Sequence, residues 1–228
     1  MWLNPQSWAV LSGHASYQKA EQIMKLVRER LATEYGIMIC YPAYEKTDHR
    51  IVKAPLFNKG MKENGSIFSH TQGWAIIAET MLGHGNEAFA YFRAYMPAAY
   101  NNRAEVRQIE PYVYCQFTHS KDSPRFGASR LPWLTGTAAW AYHTATNYIL
   151  GVQPGYQGLR IDPCIPATWK EVTIRRRFRK RWLDIHVQNE QGVQKGVRHI
   201  LLNGETLASN LIPIEKIKDQ NVVIVVMG

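Results

Sequence analysis

Hydrophobic residues recur at helical spacing through the first half of the chain. Over residues 16–33, apolar side chains fall three or four positions apart, and Ser16 can cap the helix that this spacing predicts. Asn86 can cap a second helix that runs to Tyr95 before a proline. Three further segments predict helices: 5–13, 70–84 and 133–150. The last of these carries little charge, and we therefore expect it to be buried.

The pattern changes after Gly151, where short β-type runs separated by turn residues replace the helical spacing. The predicted strands cover residues 158–164, 171–178, 181–188, 196–202 and 222–227. Asn203-Gly204 is the residue pair typical of a type I′ hairpin turn. Helices followed by strands indicate two segregated parts, with a boundary near residue 152, in place of an alternating α/β sheet.

The composition is that of a soluble globular protein. The chain has 228 residues, of which 46% are hydrophobic and 20% charged. No apolar run approaches the length needed to span a bilayer, and the first residues lack the features of a signal peptide. Three widely spaced cysteines favour reduced thiols over a disulfide framework. We therefore expect a cytoplasmic protein that does not contact a membrane. Because the chain begins within a predicted helical segment that contains Trp, we also expect it to be the later part of a longer protein.

The net charge is +9, and a basic run occupies residues 175–181. Such a run has two interpretations. The first is a solvated pair of strands, which the flanking β pattern favours. The second is nucleic-acid binding, which requires basic and aromatic residues spread over a face of a known module. The sequence contains no such module, and we expect no nucleic-acid partner.

Three polar segments carry the candidate chemistry: residues 59–74, 110–116 and 133–140. In the first and last, His70 and Thr135 stand where predicted helices begin. Helix N-termini present free N–H donors and attract anions, phosphate especially. Gly136 would let an anion approach the backbone closely. The alternative is that His70 is a cap or surface residue and that Thr135 only caps its helix. Sequence motifs for a phosphate loop, a dinucleotide site or a metal site are absent.

These segments resemble the signature sequences of cellobiose phosphorylases and the related chitobiose phosphorylases, of the glycoside hydrolase family 94 type. The resemblance lies in Lys62-Glu63-Asn64-Gly65-Ser66-Ile67-Phe68-Ser69-His70-Thr71-Gln72-Gly73-Trp74, Glu110-Pro111-Tyr112-Val113-Tyr114-Cys115-Gln116 and Trp133-Leu134-Thr135-Gly136-Thr137-Ala138-Ala139-Trp140. Residues 158–166 and 225–228 agree with the same family. The motifs are long, occur in the family's order and extend over nearly the whole chain.

The resemblance implies a fold and a set of binding residues. The fold is mainly α followed by β: residues 1–152 would form the C-terminal part of an (α/α)₆ catalytic barrel, and residues 153–228 a small C-terminal β-sandwich domain. Phosphate would be held by His70, Thr135 and Gly136. Gln116 would bind the transferred sugar, and Lys62 and Glu63 would face the leaving sugar.

The resemblance also implies an inverting reaction that converts cellobiose and phosphate to α-glucose 1-phosphate and glucose. Phosphate is the co-substrate, and no cofactor or metal is expected. The family's general acid is an Asp upstream of this chain, so we expect no catalytic residue here and no activity from the chain alone. The full-length enzyme is expected to be a homodimer.

Three alternatives stay open at this point. The substrate could be a cellodextrin or chitobiose, although the sequence Thr71-Gln72-Gly73-Trp74 favours cellobiose. The chain could also be a non-catalytic module that binds carbohydrate or an anion.

Overall fold

The structure is a computed structural model, and it describes residues 1–46 and 56–228. Within these residues the chain forms two compact units. The first comprises Met1–Leu82 and Ala90–Tyr142, and the second comprises Gly83–Phe89 and His143–Gly228. All six predicted binding residues lie in the first unit. The assignment of residues 1–152 to a barrel and of residues 153–228 to a β domain stays a prediction.

Three helices pack together in the first unit: α1 (Leu3–Leu11), α2 (Tyr17–Arg30) and α3 (Ser69–Leu82). The periodicity that predicted α2 is confirmed. Its buried residues are Ala20, Ile23, Met24 and Val27. Ser16 caps α2 as predicted, because its Oγ accepts a hydrogen bond from the Lys19 N–H at 3.4 Å. α3 is buried on almost every side, and the Arg28 guanidinium of α2 binds both carboxylate oxygens of its buried Glu79, each at 2.7 Å.

Three shorter or more exposed helices follow: α4 (Gly85–Tyr95), α5 (Ala104–Arg107) and α6 (Thr137–His143). A 3₁₀ helix (Pro97–Arg103) precedes α5, and a π-helix (Thr144–Ile149) continues α6. Asn86 does not cap α4 as predicted. The helix begins one residue earlier, and the Asn86 side-chain oxygen instead accepts a hydrogen bond from the Ala167 N–H at 3.0 Å.

The helix predicted over residues 133–150 starts later and is less buried than predicted. The backbone of Trp133 has φ of 69°, and helical hydrogen bonding begins only at Thr137. Ala138, Ala139 and Tyr142 are exposed, so the expectation of a buried helix is wrong. Low charge failed as a guide because small and hydroxyl-bearing side chains tolerate water.

Two small sheets complete the first unit, and neither was predicted. Strands β1 (Ala32–Thr33) and β2 (Gly36–Ile37) form a hairpin. Strands β3 (Ile67–Phe68), β4 (Cys115–Thr118) and β5 (Ser129–Pro132) form an antiparallel sheet in the order β3-β4-β5. Phe68 and Phe117 are opposite each other in this sheet and pack with Ile39 and Cys40 in a buried cluster.

The second unit contains a three-stranded and a five-stranded sheet. The first, in the order β12-β7-β6, consists of β6 (Val152–Pro154), β7 (Gly158–Ile161) and β12 (Leu211–Pro213). The second, in the order β11-β10-β13-β9-β8, consists of β8 (Glu171–Phe178), β9 (Arg181–Gln188), β10 (Val197–Leu202), β11 (Glu205–Thr206) and β13 (Gln220–Met227). Asn203 and Gly204 have φ of 52° and 86°, which confirms the type I′ signal.

The basic run forms the end of β8, the turn after it and the start of β9, as the strand-pair interpretation predicted. Its charges are largely engaged within the sheet. The guanidinium groups of Arg175 and Arg177 stand over the Trp182 ring, at 5.0 and 5.8 Å from its centroid. Arg175 also pairs with Asp184 at 3.4 Å. The absence of a nucleic-acid partner stays a prediction.

The sequence also predicted reduced cysteines and no membrane-spanning segment. None of the three cysteines, all of which lie in the described part of the chain, forms a disulfide bond. Across residues 1–46 and 56–228, every helix is too short or too polar to cross a membrane.

Candidate functional site

The three-stranded sheet of the first unit brings the polar segments together. His70 follows the end of β3 by two residues. Gln116 is the second residue of β4, and Thr135 follows the end of β5 by three. Since β3 and β5 both run antiparallel to β4, the ends of β3 and β5 lie beside the start of β4. The segments that carry His70, Gln116 and Thr135 therefore meet at one end of the sheet.

His70 lies in the first turn of α3, as predicted, and its side chain is partly exposed. Its imidazole makes edge contacts with the rings of Phe68 and Trp74, at centroid distances of 5.1 and 5.3 Å. Burial lowers the pKa of His70 below the usual histidine value, so the ring is neutral near pH 7. Neither ring nitrogen has a hydrogen-bond partner among the described residues. An oriented imidazole with an uncommitted N–H is suited to hold an anion.

Thr135 and Gly136 immediately precede α6. The Thr135 hydroxyl accepts a hydrogen bond from the Thr137 N–H at 3.2 Å and lies 2.6 Å from the Thr137 hydroxyl. Thr135 is therefore a helix cap, as the alternative interpretation held. The Thr137 N–H uses one lone pair of the Thr135 hydroxyl, and when the Thr137 hydroxyl donates to the other, the Thr135 proton stays available for a ligand. Gly136 is exposed, and a Cβ built on it meets no atom within 4 Å. Its backbone is open to a ligand.

Gln116 is partly exposed in β4, between the buried residues Cys115 and Phe117. Successive strand residues point to opposite faces of a sheet, so Gln116 points away from the face that its two neighbours bury. Its amide has no hydrogen-bond partner among the described residues. An amide that is fixed by a strand and left uncommitted can both donate to and accept from a sugar hydroxyl.

Lys62 and Glu63 lie in a tight turn before β3. Buried Asn64 fixes this turn, because its side chain binds the Tyr44 N–H, the Tyr44 carbonyl and the Phe57 carbonyl. Lys62 has φ of 43°, and its ammonium stands 5.1 Å from the Phe57 ring centroid. The Glu63 Oε2 atom is buried and lacks a hydrogen-bond partner within the described ranges. The described hydrogen bonds do not join this turn to the other four predicted residues.

Sequence reasoning missed an aromatic cluster beside His70. Trp74 is one turn along α3 from His70, and its ring lies 5.5 Å from Trp8 and 5.8 Å from Trp140 of α6. The Trp74–Trp140 contact links the second turn of α3 to the first turn of α6. The Trp74 Nε1 atom is buried and has no hydrogen-bond partner among the described residues. The one-turn spacing of His70 and Trp74 was the signal in the sequence that would have placed both on one face.

Comparison with protein families matches most of the chain. A family profile described as "Glycosyl hydrolase 94 superfamily, catalytic domain" matches residues 1–151. A second profile, "Glycosyl hydrolase family 65, C-terminal domain", matches residues 156–197. The first match alone covers well over half of the sequence, and it includes every segment described above.

The chain belongs to the glycosyl hydrolase 94 superfamily. It is 42% identical to the N,N'-diacetylchitobiose phosphorylase of Vibrio proteolyticus over 98% of its own length. It is 41% identical to the Vibrio furnissii enzyme of the same name over 99%, and 33% identical to the solabiose phosphorylase of Paenibacillus borealis over 94%. The chain spans 28% of the length of each of these three relatives. The family resemblance is thus confirmed, while cellobiose is not the substrate named for these relatives.

Two residues of the sequence 71–74, from which cellobiose was predicted, have packing roles in the structure, and the preference for cellobiose stays a prediction. Gln72 is fully buried, and its amide binds the N–H of Ile37 at 2.7 Å and the carbonyl of Ile37 at 2.8 Å. Thr71 is buried as well, and its hydroxyl donates to the Phe68 carbonyl at 2.9 Å. These side chains hold α3 against β2 and β3. Their hydrogen bonds are all with backbone groups of the first unit.

Proposed function

We propose that this chain supplies the phosphate-binding half of an inverting disaccharide phosphorylase, with His70, Thr135 and Gly136 as the phosphate ligands. The observation that supports this is the meeting of the three segments at one end of the β3-β4-β5 sheet. The His70 imidazole, the Gln116 amide and the Gly136 N–H have no hydrogen-bond partner among the described residues, while the Gly136 carbonyl accepts the Trp140 N–H at 3.3 Å. Groups of this kind can hold phosphate and a sugar side by side.

The reaction follows from the chemistry of phosphate. Phosphate is anionic at neutral pH, so it needs positioning more than it needs a base. Hydrogen bonds from the His70 N–H, the Thr135 hydroxyl and the Gly136 N–H would orient it and leave one oxygen free. That oxygen attacks the anomeric carbon from the face opposite the leaving sugar. A C–O bond to phosphate forms, and the glycosidic C–O bond breaks. A carboxylic acid transfers its proton to the leaving oxygen, and the products are an α-sugar 1-phosphate and a free sugar.

The carboxylic acid is proposed to be an Asp that lies outside this chain. The 228 residues would then bind phosphate and sugar without turnover. No cofactor or metal is proposed, since phosphate itself is the co-substrate. The chain is proposed to act in the cytoplasm, within a homodimeric enzyme whose catalytic domain is an (α/α)₆ barrel followed by a β-sandwich domain.

The proposed substrate is N,N'-diacetylchitobiose, with cellobiose as the second candidate. N,N'-diacetylchitobiose is supported by the 42% and 41% identity of this chain to two phosphorylases that are named for that sugar. Gln116 would bind the transferred sugar. Lys62 and Glu63 would bind the leaving sugar, and the unpartnered Glu63 Oε2 atom would accept a hydrogen bond from a sugar hydroxyl.

An activity assay of the purified chain tests directly whether the general acid lies outside it. The chain is incubated with phosphate and either N,N'-diacetylchitobiose or cellobiose, and the sugar 1-phosphate is assayed. No turnover is expected with either disaccharide. Clear formation of a sugar 1-phosphate by this chain would show that the general acid lies within it, and would contradict the proposal that this acid is an Asp outside the chain.

A further inference from the structure

A cavity with cationic side chains in its lining lies in the first unit. None of the predicted phosphate-binding residues lines it. Its volume is about 300 Å³, within the range of small-molecule sites. It lies between the segment that precedes β3 and the β4–β5 hairpin. The side chains that line it and carry its chemistry are Lys59, Met61, His119, Ser123, Arg125 and Arg130.

The two segments that form the cavity are joined by backbone contacts. The Ser120 N–H donates to the Gly60 carbonyl at 3.1 Å. A Cβ at Gly60 would lie 2.8 Å from the Ser123 nitrogen, and Gly60 has φ of 75°. Only glycine allows this approach and this conformation at low cost. The cavity is therefore a built feature of the chain and not a chance gap between side chains.

The lining is cationic. Arg125 forms no side-chain hydrogen bond or ion pair with the described residues. Arg130 uses two of its N–H groups, on the Ser129 carbonyl and the Gln108 side chain, and retains others. Lys59 pairs with the exposed Glu45, which does not line the cavity. No acidic residue lines it within the described part of the chain.

His119 supplies an uncommitted donor to this lining. The residue is 3% exposed, and its Nδ1 atom lies 2.8 Å from the Ser123 hydroxyl. That hydroxyl also accepts the Arg125 N–H at 3.2 Å, and its own proton can be donated to Nδ1. Burial, and then Arg130 and Arg125, lower the pKa of His119, so the ring is neutral. In the tautomer in which Nδ1 accepts from Ser123, the ring proton is on Nε2, which is buried and has no hydrogen-bond partner in the described residues.

We propose that this cavity binds a monosaccharide that carries an anionic group, with Arg125, Arg130 and Lys59 facing the anion and His119 donating from Nε2. The volume exceeds what a free inorganic phosphate would fill, whereas a sugar would occupy it. The anionic group is a phosphate or a carboxylate. Both groups present two oxygens side by side, which guanidinium groups bind through paired N–H donors.

The test follows the His119 ring by NMR in the ¹⁵N-histidine-labelled chain. The probes are glucose 1-phosphate, gluconate, inorganic phosphate and neutral glucose. An anionic sugar is expected to shift the His119 signals and raise the pKa of His119, while glucose is not. A preference for glucose 1-phosphate identifies a phosphate ligand, and a preference for gluconate identifies a carboxylate. The proposal would be overturned if neutral glucose bound as tightly as the anionic sugars, or if inorganic phosphate were the one probe that shifted the His119 signals.

Two variants complete the test. Arg125→Gln is expected to weaken binding of the anionic sugar at least about tenfold, as for loss of one charge-assisted hydrogen bond. Arg93→Gln is the matched control, because Arg93 is an exposed arginine of α4 that does not line the cavity. Equal affinity in the Arg125→Gln and Arg93→Gln variants would overturn the proposal. His70→Ala is expected to leave binding of the anionic sugar to this cavity unchanged. The cavity proposal and the assignment of His70 to phosphate can therefore fail independently.

Discussion

Gln72 connects the first turn of α3, which carries His70, to strand β2. We predict that Gln72→Leu strongly destabilises the first unit. The wild-type amide is fully buried and binds three backbone groups: the Ile37 N–H, the Ile37 carbonyl and the Phe68 carbonyl, at 2.7, 2.8 and 3.0 Å. Leucine has a similar size and removes all three hydrogen bonds without opening a large cavity.

The magnitude follows from which groups would lose their partners. The Phe68 carbonyl keeps the Thr71 hydroxyl as a donor. Both polar groups of Ile37 point away from the hairpin partner and have Gln72 as their partner. An unsatisfied buried backbone group costs about 1–3 kcal/mol, so two of them cost roughly 2–6 kcal/mol in the free energy of unfolding. Leucine burial offsets part of this, and we expect a net loss of about 2–4 kcal/mol.

The assay is urea unfolding followed by tryptophan fluorescence, since Trp8, Trp74 and Trp140 cluster in the same unit. Gln22→Leu is the matched control, because Gln22 is exposed on α2 and a surface substitution changes stability by less than about 0.5 kcal/mol. An equally small loss for Gln72→Leu would refute the reasoning that this amide holds α3 to β2.

Three further predictions concern other parts of the same unit. Glu79→Gln removes the charge that pairs with Arg28 and should lower the unfolding free energy by roughly 1.5–3 kcal/mol, whereas a loss below about 0.5 kcal/mol in urea unfolding would contradict a buried ion pair. Gly136→Ala should leave stability unchanged within about 0.5 kcal/mol, since no atom lies within 4 Å of the added Cβ, and a lowered urea midpoint would contradict that. The pKa values of His70 and His119 are lowered from 6.5 by burial, so the unfolded chain binds more protons between the lowered values and 6.5. Stability should therefore fall as the pH is lowered through about 6.5, and equal urea midpoints at about pH 7.5 and 5.5 would contradict this.

Strands β8 and β9 were predicted with their observed bounds, because eight residues are enough for β periodicity and turn residues flank them. Strands β3, β4 and β5 were missed because two to four residues carry no usable periodicity. That sheet nevertheless places the candidate site. The sequence predicted that His70 stands at a helix start, but only the register of the strands shows that its segment meets the segment that carries Gln116.

The cationic cavity was missed for a related reason. Lys59 and His119 are 60 positions apart in the sequence, and no local motif joins them. The cluster of His119, Ser123, Arg125 and Arg130 was visible as a short polar stretch. Its meaning depends on burial, since an exposed histidine beside two arginines would be an ordinary surface feature. The structure supplies that burial and leaves Nε2 without a partner among the described residues.

The central claim is that His70 binds the attacking phosphate, and the phosphate dependence of a complete phosphorylase that carries this chain tests it most directly. His70→Ala is compared with the wild type in initial rates at varied phosphate and fixed, saturating disaccharide. The expected result is an increase of at least about tenfold in the KM for phosphate, as for loss of a hydrogen bond to an anion, with the KM for the disaccharide within about twofold. An unchanged KM for phosphate in this variant would contradict the assignment of His70 and the account built on it.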